Sequence, residues 1–537
     1  MLKKIRITLA TIVFVLITLL FLDVTGTLHS YLGWLAKIQF WPALLALNAG
    51  VVAALIILTL VFGRIYCSVI CPLGIMQDVV SNIHSRRKKN RFTYSKEKRW
   101  LRYGLLAVFI IAALAGINVI VSLLAPYSSY GRIASNLFKP VYEAGNNVLA
   151  SIAESVDSYA FYSVDVWIKS MPTFIIAVVT FIIIAILAWR GGRTYCNTIC
   201  PVGTILSFFA RFSWFKVRID EDKCIKCGLC TKNCKASAID FKNHKIDYSR
   251  CVVCGDCLGK CHKGALSFTN QRVNKSTSRQ ADKWTSGQIN KQTSVQADNM
   301  INKQANDSKA NLLVDSSLVN LSTVGVPTDT GRRSFLLAAA MATTGAALAQ
   351  EKKKVDGGLA VIEDKIAPER LTPITPPGSL SAQHFAQHCT ACQLCVSKCP
   401  NGVLRPSTDL SKFMQPTMSY ERGYCRPECT KCSEVCPTGS IKPITRADKS
   451  STQIGHAVWI KKNCVPLTDG VECGNCARHC PAGAITMIPS DPKDEHSPKI
   501  PAVNEARCIG CGACENLCPA RPFSAIYVEG HEVHRVI

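Results

Sequence analysis

Residues 224–234 read CIKCGLCTKNC, a run of four cysteines in the spacing C-x2-C-x2-C-x3-C. The same spacing recurs at three later places, and two variants with wider intervals lie between the last two of these. The six groups account for 24 of the 28 cysteines of the 537-residue chain. They consist of Cys224, Cys227, Cys230 and Cys234; Cys251, Cys254, Cys257 and Cys261; Cys389, Cys392, Cys395 and Cys399; Cys425, Cys429, Cys432 and Cys436; Cys464, Cys473, Cys476 and Cys480; and Cys508, Cys511, Cys514 and Cys518.

The spacing has a physical basis that points to iron–sulfur chemistry. Two residues between ligands allow one tight loop to wrap three corners of a cubic [4Fe-4S] cluster, while the fourth cysteine ligates a neighbouring cluster, as in bacterial ferredoxins. A structural zinc ion instead takes both thiolates of two separate C-x2-C elements. Disulfide frameworks belong to small secreted domains rather than to a long chain with apolar spans. The six groups therefore predict six [4Fe-4S] clusters.

Short apolar stretches after most groups predict the small strands of a ferredoxin fold. A proline follows the last cysteine of all four C-terminal groups, as the bacterial pattern expects, whereas Lys235 and His262 stand at that position in the first two groups. We predict α+β bacterial-ferredoxin-like domains at residues 216–270 and 351–537. The apolar stretches begin at Ala238, Ala265, Ala484 and Ala525.

The N-terminal part is too apolar for a soluble domain. Hydrophobic residues make up 48% of the chain, and the mean hydropathy is +0.16 despite a formal net charge of +25. A helix that crosses a bilayer needs about 20 residues, so we predict an α-helical membrane domain of four transmembrane helices at residues 1–215. The uncharged runs are Ile7–Leu22, Ile38–Gly63, Tyr103–Tyr130 and Ser170–Trp189.

Basic residues favour one side of these predicted spans. Residues 86–102 carry nine basic side chains against one acid, whereas residues 131–169 carry three against four. The positive-inside rule then predicts a multi-pass protein of the bacterial inner membrane, with residues 216–329 in the cytoplasm. Because this topology accounts for the basic excess, the charge does not predict a nucleic-acid partner.

The membrane domain contains an internal repeat. Residues 63–74 (GRIYCSVICPLG) and 192–203 (GRTYCNTICPVG) are identical at eight of twelve positions. Two units with the same orientation bring both C-x3-C-P motifs to the cytoplasmic surface, near a two-fold axis along the membrane normal. The four remaining cysteines are then expected to form one redox or metal site, although reduced thiols that pack a helix end remain an alternative. These cysteines are Cys67, Cys71, Cys196 and Cys200.

Two further segments separate the cysteine-rich regions. Residues 271–329 are polar, without cysteine, and are typical of a disordered linker. Residues 330–350 contain Arg332, Arg333 and a short Ala-rich apolar run that ends in the A-x-A sequence Ala347-Leu348-Ala349. This resembles a twin-arginine signal, which would make the export machinery a partner and residues 351–537 periplasmic. An ordinary apolar helix with a basic flank is the alternative, and the sequence leaves cleavage after Ala349 open.

At this point the chain resembles two known families. Residues 1–270 are similar to the NapH-type membrane polyferredoxins, with four helices, two C-x3-C-P motifs and two clusters, and the part from residue 330 is similar to the NapG/MauM ferredoxin-type proteins, with a twin-arginine signal and four clusters. The resemblance implies electron transfer from quinol or menaquinol to a periplasmic reductase of the nitrate-reductase kind or to a cytochrome. The alternative is a copper reductase that matures a respiratory enzyme, and a zinc-bound scaffold is a weaker third option.

The cysteine runs also predict which groups share clusters. The bacterial pattern predicts that Cys234 and Cys261 are exchanged between the first two groups. For residues 351–537, the resemblance to four-cluster subunits of membrane-linked reductases implies nested pairing, in which the outer groups exchange Cys399 and Cys518 and the inner groups exchange Cys436 and Cys480. In the competing sequential pairing, Cys399 completes the cluster of the group that begins at Cys425. Quinone contacts are expected near the outer helix ends, although an aromatic belt has the same composition. The residues there are His29, Tyr31, Trp34, Gln39, Tyr127, Tyr130 and Arg132.

Overall fold

The computed structural model describes residues 2–23, 27–87, 92–158, 160–270 and 363–537. The predicted linker and twin-arginine segment lie outside these residues. The helices of the N-terminal region are α1 (Leu2–Leu22), α2 (Thr27–Leu32), α3 (Trp34–Lys37), α4 (Phe40–Leu45), α5 (Ala49–Phe62), α6 (Tyr66–Val69), α7 (Pro72–Arg87), α8 (Arg99–Leu114), α9 (Asn118–Leu124), α10 (Pro126–Ile133), a π-helical turn (Ala134–Phe138), α11 (Lys139–Glu154), α12 (Met171–Gly191), α13 (Thr194–Thr198) and α14 (Pro201–Ala210).

The first and fourth apolar runs form long helices as predicted. Both α1 and α12 have 21 residues, and among the described residues these two helices are long and apolar enough to cross a membrane. The second and third runs are not continuous helices, which corrects the expectation. A turn with Leu47 at a φ of 53° separates α4 from α5, and Gly116 at a φ of 73° ends α8 before α9. Left-handed residues end helices because they redirect the chain.

The first ferredoxin region is a small α+β unit. Strands β1 (Lys216–Ile219) and β4 (Leu266–Thr269) pair antiparallel, as do β2 (Ile239–Asp240) and β3 (Lys245–Ile246). A short helix, α15 (Leu229–Lys232), follows the loop of the first cysteine group. The predicted apolar stretches at Ala238 and Ala265 thus lead into strands that cover the cysteines.

The C-terminal region is built from the same kind of two-stranded antiparallel pairs. Its strands form three antiparallel pairs, and Ile526 of the longest pair lies opposite Trp459. The strands are β5 (Leu404–Pro406), β6 (Pro416–Met418), β7 (Thr452–Trp459), β8 (Ile485–Pro489), β9 (Lys499–Val503) and β10 (Ile526–Val536). The helices are α16 (Ala382–His388), α17 (Leu394–Lys398), α18 (Lys431–Val435), α19 (Arg446–Ser451), α20 (Val465–Thr468), α21 (Asn475–Arg478) and α22 (Ala513–Leu517).

The two ferredoxin regions contact opposite ends of α1. Near its N-terminus, Lys3 Nζ lies 2.9 Å from a carboxylate oxygen of Asp256. Just beyond its C-terminus, Asp23 Oδ2 lies 2.5 Å from Lys398 Nζ. The helix therefore separates residues 216–270 from residues 363–537.

The segment around α12 has the same arrangement. Lys169, before the helix, donates to the carbonyl of Val396 at 2.5 Å, and the amide of Arg193, after the helix, donates to the carbonyl of Lys235 at 2.8 Å. In the third run, Asn118 bonds the carbonyl of Ala386.

At the other end of that run, Arg102 donates to the Ser249 carbonyl at 3.1 Å. The second run packs against Val253 at Gly63 and against Gly439 at Ala46. All four apolar runs thus extend from one ferredoxin region to the other.

Candidate functional sites

The cysteine loops share a backbone conformation that fits an anionic cluster. In each of the four groups with the C-x2-C-x2-C spacing, the second and fourth residues after the first cysteine have positive φ angles, such as 53° for Lys226 and 73° for Gly228. Alternation with left-handed residues turns successive amides toward one concavity, a geometry that binds anions and iron–sulfur clusters. The other pairs are Val253 and Gly255, Ala391 and Gln393, and Gly510 and Gly512.

In the first ferredoxin region, the fourth cysteine of the first run joins the second group. One cavity is lined by Cys234 together with Cys251, Cys254 and Cys257. Cys230 instead lies close to Cys224 and Cys227. The thiols are therefore arranged as the ferredoxin pattern predicts, with Cys234 exchanged between the groups.

In the C-terminal region the pairing is sequential, and the nested prediction is wrong. Cys436 lies beside Cys389, Cys392 and Cys395, and Cys399 lies beside Cys425 and Cys432. The physical reason is the β5–β6 hairpin, which folds the chain between Cys399 and Cys425 back on itself.

The last two groups pair in the same way. A second cavity is lined by Cys480 with Cys508, Cys511 and Cys514, and Cys518 lies close to Cys464 and Cys476. The pairing of β7 with β10 explains this arrangement, because β7 ends shortly before Cys464 and β10 begins shortly after Cys518.

Backbone amides reach the sulfur of the fourth cysteine in four of the six runs. Ala238 donates to Cys234 at 3.4 Å, and Ala484 donates to Cys480 at 3.3 Å. The other two bonds run from Ile441 to Cys436 and from Ala525 to Cys518. Hydrogen bonds to the sulfurs are one of the factors that set cluster potentials.

The four cysteines of the C-x3-C-P motifs come together as the repeat predicts. Each has 3–4% of its surface exposed, and each lies within electrostatic range of others in the set. Within the described ranges, no group of three or more Cys, His, Asp or Glu side chains has a geometry that could hold a metal ion.

One arginine from each repeat forms a hydrogen bond to the other repeat, in a two-fold symmetric arrangement. Arg64 donates to the carbonyl of Cys196 at 2.9 Å, and Arg193 donates to the carbonyl of Cys67. A Cβ atom on Gly74 would lie 2.8 Å from the Arg193 guanidinium, and one on Gly203 would lie 2.7 Å from that of Arg64. The glycine that ends each motif thus leaves room for the arginine of the other, which confirms the internal repeat in three dimensions.

A buried carboxylate connects this site to the first ferredoxin region. Asp78 forms ion pairs with Arg193 at 2.7 Å, Arg6 at 2.9 Å and Lys235 at 3.8 Å. Burial alone would raise the pKa of Asp78, but the three cations lower it well below its usual range. Lys235 also pairs with Asp256 at 3.2 Å. The departure from proline at position 235 thus supplies a docking contact that sequence reasoning missed.

The residues considered for quinone contact fall into two sets. Tyr31 and Trp34 are 79% and 56% exposed, as aromatic belt residues would be. Gln39 accepts a hydrogen bond from Tyr66 at 3.1 Å and Tyr130 bonds Thr18, so these two support the packing between helices. His29, Tyr127 and Arg132 are buried and lie near residues of the C-terminal region.

The comparisons with known proteins agree with this geometry. A family model described as a 4Fe-4S binding domain matches residues 44–91 and again 171–220, the two copies that contain the C-x3-C-P motifs. Another 4Fe-4S binding domain matches residues 216–239, and a 4Fe-4S dicluster domain matches residues 471–521. No solved structure matches the chain.

Three curated relatives indicate the family. The ferredoxin-type protein NapF of Escherichia coli K12 is 31% identical over 159 residues, which cover 29% of this chain and 87% of NapF. The methylamine utilization ferredoxin-type protein MauM of Paracoccus denitrificans is 31% identical over 189 residues, which cover 33% and 77%. The ferredoxin-type protein NapG of Escherichia coli K12 is 28% identical over 204 residues, which cover 35% and 81%. The chain therefore belongs to the ferredoxin-type 4Fe-4S proteins, the family of NapF, NapG and MauM.

Proposed function

We propose that this protein is a membrane-bound iron–sulfur electron carrier. It takes electrons from the quinol pool or a cytoplasmic donor and passes them to a periplasmic reductase, as in nitrate reduction. The observation that carries the proposal is the contact of the two ferredoxin regions with opposite ends of α1. A helix of 21 residues is about 31 Å long, which is close to the thickness of the hydrocarbon core of a bilayer.

Exposed apolar side chains support four membrane-crossing segments. Ile57 on α5, Ile111 and Leu114 on α8, and Ile183 on α12 are 50–84% exposed. Apolar surface of this extent marks a membrane or protein interface. The shorter α5 and α8 are extended at the outer side by α4 and α9, so each broken run still spans the distance between the ferredoxin regions.

The cysteine groups would hold six [4Fe-4S] clusters. Each would take three cysteines of one run and the fourth cysteine of its partner run, and the cluster supplies one-electron redox chemistry when bound. The protein supplies the thiolates, the inward-turned amides and the amide bonds to sulfur. In this proposal two clusters lie on the cytoplasmic side and four lie in the periplasm.

The C-x3-C-P cysteines would form a further redox centre between these regions. The support is their burial, their mutual proximity and the match of a 4Fe-4S binding domain to both copies. Replacing Cys67 by Ser should lower the iron content or remove one redox signal, whereas the exposed Ser158 replaced by Ala should change neither. An unaltered iron content and spectrum in the Cys67 variant would leave these residues as packing thiols.

The electron-transfer role is tested on the anaerobically purified full chain in membranes. We expect a menaquinol analogue to produce the paramagnetic resonance signals of reduced clusters without added cytoplasmic protein. Reduction by a cytoplasmic ferredoxin but by no quinol would reverse the direction of flow that we propose. A protein without iron would refute the iron–sulfur role itself.

The topology rests on the twin arginines and is tested separately. Replacing Arg332 and Arg333 by Lys should keep residues 363–537 in the cytoplasm, as measured by protease accessibility in spheroplasts. A matched variant with Arg86 and Arg87 replaced by Lys should leave the domain exposed. If residues 363–537 are protected in both the wild type and the twin-arginine variant, the periplasmic assignment is wrong.

A copper reductase is the second candidate, favoured by the four buried thiols next to residues 216–270. Thiolate ligands suit Cu(I). A reductase that acts on cytoplasmic copper would retain its activity when residues 363–537 are removed, whereas the proposed carrier would lose electron delivery to its acceptor. The docked C-terminal region therefore favours the carrier.

A further inference from the structure

The region between α9 and α12 directs its cations toward one cysteine loop. Residues 131–169 contain three basic side chains, Arg132, Lys139 and Lys169. Lys139 and Lys169 donate to the carbonyls of Ser397 and Val396 in α17. Cations are favourable at a helix C-terminus because the carbonyls there lack helical partners.

Arg132 differs from the two lysines because it is deeply buried. Its exposed fraction is 0%, its guanidinium donates to the carbonyl of Ser122 at 2.8 Å and to Ser129 Oγ at 3.3 Å, and its Nε has no partner. In the part of the chain that the structure describes, no carboxylate forms an ion pair with it. Burying a charge without a counter-charge costs free energy because the charge loses its hydration. In membrane proteins, a buried ionisable residue usually has a function.

The segment that carries Arg132 packs against the first cysteine loop of the C-terminal region. Cys392 lies within electrostatic range of the guanidinium. The backbone contact is close, because a Cβ atom on the adjacent Gly131 would come within 2.3 Å of the Cys392 carbonyl oxygen. Asn136, one helical turn further on, donates to Gln393 Oε1 at 2.8 Å. The helix that carries Arg132 is thus held against the loop that would hold the cluster of Cys389, Cys392, Cys395 and Cys436, while the guanidinium itself is held by Ser122 and Ser129.

We propose that Arg132 is the counter-charge of this cluster and raises its reduction potential. This inference rests on the proposed function, because it requires a cluster at these cysteines. A cluster with thiolate ligands is anionic and becomes more negative on reduction, and net charge near a cluster is one of the terms that set its potential. A cation in a site of low dielectric stabilises the reduced state more than the oxidised state.

The experiment is a redox titration of the full chain, followed by paramagnetic resonance. The signal that Cys392→Ser alters identifies the relevant cluster. In Arg132→Gln, we expect the ratio of reduced to oxidised cluster at the wild-type midpoint potential to fall about tenfold, which corresponds to about 59 mV for a one-electron couple. Arg132→Lys, which keeps the charge, should retain most of the wild-type ratio.

Two further variants separate charge from structure. Ser129→Asp leaves Arg132 in place but gives it a carboxylate partner, so it should lower the same potential even if Arg132→Gln fails to assemble. Arg405→Gln is the control, because Arg405 also lies at this interface, over Trp167, but is already paired with Glu421. An unchanged midpoint in both Arg132→Gln and Ser129→Asp, with clusters present, would overturn this inference while leaving the electron-carrier role intact. A wild type without the cluster would instead refute the proposed function.

Discussion

The buried pair of Asp23 and Lys398 predicts how firmly the C-terminal region docks on the N-terminal helical region. The side chains are 1% and 2% exposed, and the ammonium also donates to the Asp23 carbonyl at 2.9 Å. Removing one partner of a buried ion pair costs about 3–5 kcal/mol because the other charge remains desolvated. Since Lys398 keeps its bond to the carbonyl in Asp23→Asn, we take the lower end, about 3 kcal/mol, and expect docking about 100-fold weaker.

The assay separates docking from chain connectivity. A protease site introduced within residues 271–329 is cleaved in the solubilised protein, and the dissociation constant of the two fragments is measured. The double variant Asp23→Asn with Lys398→Met, which leaves neither buried charge, should dock more tightly than the single variant. Equal dissociation constants for the wild type and Asp23→Asn would refute the reasoning, because they would mean that the pair contributes nothing to docking.

Two further predictions concern the C-terminal region. Gly512→Ala should lose the cluster of Cys480, Cys508, Cys511 and Cys514, because a Cβ atom would lie 2.2 Å from the Tyr420 ring; iron content measures this loss. Gly470→Ala, which has a similar φ of 66° but nothing within 4 Å, should keep its iron. Burial, and then His531, lowers the pKa of His534 to about 4. Because the folded state resists protonation, its stability should fall by up to about 3 kcal/mol as the pH drops from about 6.5 to 4. Amide exchange in β10, corrected for intrinsic rates, measures the loss, and His534→Gln should abolish this pH dependence.

Much of the ferredoxin fold follows from local sequence. The cysteine spacing selects the loop conformation, and the apolar stretches after Cys234 and Cys518 become strands that each pair with one antiparallel partner. The repeat at residues 63–74 and 192–203 likewise predicts the meeting of the C-x3-C-P motifs. In each case the information lies within about a dozen neighbouring residues.

The errors arise where distant segments decide. The pairing of clusters depends on which strands meet, and no feature of the cysteine runs reveals that β7 pairs with β10. The breaks in the helices occur at single left-handed residues, Leu47 and Gly116. A hydropathy pattern does not detect them, because it measures only how apolar a stretch is. In the sequence, Lys235 is only a departure from the proline of the ferredoxin pattern. Its role is not visible there, because its two carboxylate partners, Asp78 and Asp256, lie on other segments.

The packing of the C-terminal region against the N-terminal helices also gives a structural role to the three basic residues among residues 131–169. Counted along the sequence, three basic residues among residues 131–169 indicate only an outer loop. In three dimensions Lys139 and Lys169 bond the carbonyls of Ser397 and Val396, and Gly131, next to Arg132, lies against the Cys392 carbonyl, so all three basic residues lie beside the C-terminal ferredoxin region. The same contacts bear on the cleavage left open at Ala349. Asp23, Asn136 and Lys169 are bonded across the interface, so we expect the C-terminal region to stay bound to the N-terminal helices whether or not the chain between them is cut.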